Sequence, residues 1–109
     1  KAVAAANLQG AFVFMNHPWG SPDTPNLRTE LTDWHKSLIN SKQIHGIEIV
    51  NGGTYNEEAH RIALDNNLSL IGTSDVHDLI SWDYNSHQGE HRPASHFLGE
   101  YTTEQHVAV

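Results

Sequence analysis

No cysteine occurs in the 109 residues, which removes disulfides, thiolate metal sites and cysteine nucleophiles together. Positive charge is also scarce: six Lys plus Arg stand against thirteen Asp plus Glu, a formal net charge of -7. With so few cations spread along the chain there is no basic stripe, so neither nonspecific nucleic-acid binding nor membrane-surface binding is expected. Bound divalent cations would offset part of the negative charge, which leaves an anionic substrate compatible with it. No apolar run is long enough to cross a membrane, and no signal peptide is visible. The chain also lacks an initial methionine. It opens on Lys-Ala-Val-Ala-Ala-Ala-Asn-Leu-Gln-Gly, which resembles the tail of a helix closed by Gly10, so a piece of something longer is expected and the compartment stays open.

Histidine, by contrast, is abundant, with nine in this short chain. Most are expected to be exposed polar residues, among them His35, His45, His60 and His106. The stretch that points to chemistry is Leu68 to His77, Leu-Ser-Leu-Ile-Gly-Thr-Ser-Asp-Val-His. An apolar run that turns abruptly into Asp75 and His77 reads as a buried strand delivering a carboxylate and an imidazole at its carboxyl end. Residues two apart in an extended chain point the same way, so Asp75 and His77 can converge. An oxygen ligand with a nitrogen ligand suits zinc, manganese or iron, whereas calcium and magnesium favour oxygen alone. A strand ending in a turn, with Asp75 as a helix cap and His77 exposed, accounts for this dipeptide equally well.

Ala11 to Met15 is a second apolar run, ended by Asn16-His17-Pro18, and reads as a strand buried on both faces. His17 thus falls at a strand's carboxyl end as well. A loop follows over Trp19 to Asn26, with Thr24-Pro25 as a helix start. Leu27, Leu31, Trp34 and Leu38 recur at steps of four, three and four, the spacing of an amphipathic helix reaching about Ser41 with Trp34 in the core. Gly46 to Val50 reads as the next buried strand, ending in Asn51-Gly52-Gly53. Glu48 inside it needs a partner or a metal; pairing with a neighbour across a polar barrel interior is the preferred reading, with indirect support of a metal as the alternative.

Tyr55, Ala59, Ile62 and Ala63 mark the apolar face of another helix, closed near Asn66-Asn67. The resulting order of helix, strand, helix, strand, helix, strand implies crossovers and a parallel sheet, with His17, Asn51, Asp75 and His77 collected beyond the carboxyl ends of the strands. From Asp78 to Ser95 the pattern is polar and irregular, a long loop on the same rim in which His91 and Arg92 offer a phosphate contact. Phe97-Leu98 hints at a short strand, and Thr102-Thr103-Glu104-Gln105 at the start of a helix.

Together, His17-Pro18, then Gly46-Ile47-Glu48 with Asn51, then Ser74-Asp75-Val76-His77 resemble the carboxyl-terminal third of the PHP (polymerase and histidinol phosphatase) family of metal-dependent phosphoesterases. The stretch from Phe12 to Pro93, with Asp83-Tyr84 and Gly89-Glu90-His91-Arg92-Pro93, is similar in particular to the Sb-PDE family phosphodiesterases. The resemblance implies an α/β fold, a distorted TIM-like (β/α) barrel, of which residues 1–109 would be the carboxyl-terminal part. It implies a cluster of up to three divalent metals (zinc, manganese or iron). His17 resembles a ligand of a metal that shares a bridging carboxylate with its neighbour, Asp75 a ligand of that neighbour, and His77 a ligand of the third. The family's His-x-His and its remaining ligands would lie before Lys1.

The implied activity is phosphodiester hydrolysis of a small-molecule phosphoester by metal-activated water. An amidohydrolase-type hydrolase of carbon esters or amides, or a non-catalytic barrel piece, are the alternatives. No lysine stands at a strand's carboxyl end, which disfavours the amidohydrolase. The polar segment after Pro93 departs from the family's apolar strand. For the 109 residues alone, an unclosed sheet covered by missing barrel segments or by a second copy, and little activity, are expected.

Overall fold

In a computed structural model, residues 1–20 and 28–95 are described. The expected loop over Trp19 to Asn26 falls largely outside them, as do the Thr24-Pro25 helix start, Leu27, His106 and the hinted elements at Phe97-Leu98 and Thr102-Gln105. The elements are α1 (Ala2–Leu8), β1 (Phe14–Met15), α2 (Asp33–Asn40), β2 (Gly46–Asn51), β3 (Thr54–Tyr55), α3 (Glu57–Asp65), β4 (Ser69–Thr73) and the single turn α4 (Ile80–Asp83). A short 3-10 turn, Ser86–Gln88, follows.

β2 is the middle of the sheet. It pairs in parallel with β1 (Phe14 opposite Gly46) and with β4 (Gly46 opposite Ser69). The carboxyl ends of β1, β2 and β4 therefore lie on one side, as the crossover pattern requires. The sheet is mixed rather than purely parallel, because β3 pairs antiparallel with the end of β2 (Asn51 opposite Thr54). Gly52, at φ +56°, makes that reversal possible in two residues. Tyr55 consequently belongs to a strand and not to the apolar face of a helix; α3 starts later, capped by Asn56, whose side chain accepts from the Ala59 N–H at 2.8 Å.

β1 is shorter than the run Ala11 to Met15. The Val13 N–H is taken by His45 Nδ1 at 2.9 Å, and its carbonyl accepts from the His45 and Gly46 N–H groups. His45, expected to be exposed, is half-buried against the Phe12 ring, with centroids 5.6 Å apart. α2 likewise begins late: Thr32 and His35 form a reciprocal capping box, which leaves Leu31 outside the helix. Residues just before it are held elsewhere, since the Thr29 N–H donates to Glu58 and its hydroxyl to Asn56.

The core lies between the sheet and helices α2 and α3. Ile47 packs with Ala59, Ala63 and Trp19, while Leu38, Ile39 and Ile44 form a second cluster. Trp34 is 58% exposed, which corrects its placement in the core; it stands in the first turn of α2, and Trp19 fills the interior instead.

Candidate metal centre

Alternation along β2 puts Ile47 toward the helices and Glu48 on the other face. A bulge between Glu48 and Val50 then adds a residue to β2, so Asn51 returns to the face of Glu48 despite the odd spacing between them. Opposite them on β4, Ile71 pairs with Glu48 and Thr73 with Asn51. The result is one polar knot in the sheet. The Thr73 hydroxyl donates to Glu48 Oε1, the His17 N–H donates to Glu48 Oε2, and Asn51 Nδ2 donates to the same oxygen at 3.4 Å. Glu48 is 2% exposed, so its burial is matched by three donors, one from each parallel strand end. This agrees with the expectation that Glu48 pairs with neighbours.

Above the knot stand the residues expected to hold metal. Asp75 and His77 converge: Asp75 Oδ1 lies 3.5 Å from His77 Nε2, with the side chains 47% and 84% exposed. Asp75 adopts φ +54° beyond the end of β4, so the chain is not extended there and the pair converges through a turn rather than through strand alternation as expected; His17 stands at φ +20°. His17 is exposed, and its backbone N–H joins the Glu48 knot. Among the described residues no group of three or more His, Asp or Glu side chains is close enough to hold a metal ion by itself.

The donor chemistry nonetheless fits a divalent transition metal. A carboxylate oxygen and an imidazole nitrogen are donors such ions take, and Asp75 and His77 present one of each within 3.5 Å. His17 adds a second imidazole on the same rim. Two or three donors do not complete a coordination shell, so further ligands are needed.

Beside this rim lies an open cavity of about 360 Å³. Phe12, Phe14 and Ile71 form apolar walls, and Thr73, Ser74 and Arg92 contribute polar groups. Arg92 makes no ion pair among the described residues. His91 does not line the cavity; its Nδ1 lies 3.4 Å from the Arg92 carbonyl. The segment expected to be irregular contains α4 and the 3-10 turn, and Ser95 ties it to β4, its hydroxyl bonded to both the N–H and the carbonyl of Gly72.

Sequence reasoning passed over Thr73 and the two phenylalanines. A hydroxyl at the end of an apolar run was the available signal for Thr73. No signal marked Phe12 and Phe14 as cavity walls.

One solved structure matches this mixed α/β chain in both fold and sequence. It is a two-domain protein from Bacteroides vulgatus containing a predicted PHP-like metal-dependent phosphoesterase, with a TM-score of 0.72 and 44% identity. The match covers 84% of this chain, which spans only 26% of the length of that protein. The resemblance to the PHP family is thereby shown in sequence and fold together over most of this chain. No protein-family model and no curated protein matches the chain.

Proposed function

We propose that this chain is the carboxyl-terminal part of one PHP barrel and that the whole protein hydrolyses a phosphodiester of small-molecule size. The observation that carries the reading is the convergence of Asp75 with His77 on the rim shared by His17, in a chain 44% identical to a PHP-like protein. His17, Asp75 and His77 would hold the metals, with zinc, manganese or iron fitting the mixed oxygen and nitrogen donors. Divalent metals held there would supply an acidified water near neutral pH and positive charge for the phosphoryl oxygens. Arg92, unpaired by any carboxylate among the described residues, can fork onto a phosphate at the mouth of the cavity, with Thr73 and Ser74 beside it. His91 is a weaker candidate for the same contact.

The test is metal content and phosphodiesterase rate of the full-length protein. Asp75→Asn and His77→Ala are expected to lower both together, the rate by at least 10-fold. Undiminished turnover and normal metal content in both variants would reject the assignment. The 109 residues alone, with one carried-over ligand per metal, are expected to bind metal weakly and turn over little.

A further inference from the structure

We propose that Glu48 is a positioning residue of the metal centre: its carboxyl group sets the separation between His17 and the Asp75–His77 pair by gripping the backbone of His17 and the hydroxyl of Thr73, two residues before Asp75. The proposal rests on the metal-binding reading of those three residues. A carboxyl group is a poor choice for filling space, because taking it out of water costs several kcal/mol unless excellent partners are present. Leucine or glutamine would plug the same volume at lower cost. At 2% exposure Glu48 touches no solvent to speak of, so its role must lie in what it holds.

What it holds is specific. One oxygen accepts the backbone N–H of His17 itself, and the other accepts the hydroxyl of Thr73, two residues before Asp75. β1 and β4 do not pair with each other; both pair with β2. Glu48 therefore gives their carboxyl ends a common anchor where the sheet alone supplies none. The two segments it grips also contain two of the four positive φ values found at non-glycine positions among the described residues, +20° at His17 and +54° at Asp75; the others, Lys42 and Asn67, follow helix ends. Glu48 bonds to the first of these residues directly and to Thr73, two residues before the second. A shift of the carboxyl group would move His17 and Asp75 relative to each other without touching either side chain.

The experiment is a titration of the metal-free full-length protein with cobalt(II), reading both the affinity and the visible absorption band of the bound ion. Thr73→Val, close in shape to threonine, is expected to weaken cobalt affinity by at least about 10-fold and to shift the band, as loss of outer contacts at metal sites does. Thr73→Ser, which keeps the hydroxyl, is expected to restore both. Glu48→Gln is expected to shift the band in the same sense, provided that its far-ultraviolet circular dichroism matches the parent; should it fail to fold, the Thr73 pair decides.

Cobalt affinity and band both unchanged in Thr73→Val, while Asp75→Asn loses the ion, would overturn the positioning role and leave the metal assignment standing. An equal loss in Thr73→Val and Thr73→Ser would overturn it too, because the hydroxyl would not be what matters. Cobalt bound normally by Asp75→Asn would instead reject the metal assignment beneath it.

Discussion

Ile47 and Glu48 are neighbours on one strand and nearly equally buried, 0% and 2% exposed, yet they face opposite sides of the sheet. On the Ile47 side the partners are Ala59, Ala63 and Trp19, and the interaction is apolar, nondirectional and set by volume. On the Glu48 side the partners are three donors at three strand ends, and the interaction is directional and set by position. The helix side can absorb a conservative change by repacking. The rim side cannot, since a moved acceptor leaves donors unsatisfied.

Three substitutions sharpen this contrast, each read by urea unfolding of the protein. The largest effect is expected at Ile47→Ala, where the fully buried side chain sits under small alanines that cannot close the gap; about 2–5 kcal/mol should be lost. A loss under 1 kcal/mol would mean that the helix side is loosely packed. Gly46→Ala comes next. A methyl there would meet the Phe12 ring at 3.0 Å and the Ser69 carbonyl at 3.1 Å, one movable and the other backbone, so about 1–3 kcal/mol is expected. Stability equal to the parent would show that Phe12 swings away freely. Trp34→Ala should be the smallest, within about 0.5 kcal/mol despite the size of the residue, because the indole is mainly exposed. A loss of 2 kcal/mol would restore Trp34 to the core.

Much of the scaffold was legible in the residues. Apolar runs ending in turn residues located β1, β2 and β4, and the apolar spacing located α2 and α3, because a buried strand or helix face must announce itself in composition. The rim was legible for the same reason, since His17, Asn51, Asp75 and His77 each stand where an apolar run stops. Boundaries were less so. α2 starts at Asp33, with Thr32 as its cap, because a capping box competes successfully with the apolar spacing that would include Leu31. The exchange of Trp34 for Trp19 in the core was not legible at all. Both are large and apolar, and only the path of the chain after Pro18 decides which one meets Ile47.

By itself the sequence determined the order of elements, the parallel crossovers and the presence of a carboxylate and imidazoles at strand ends, since these follow from local pattern and chain direction. Only the tertiary structure decided that Glu48 would join His17 to Thr73 and that a bulge would bring Asn51 to the same face. Those depend on register between strands far apart in the chain, and a register is a property of the pairing that neither strand carries alone.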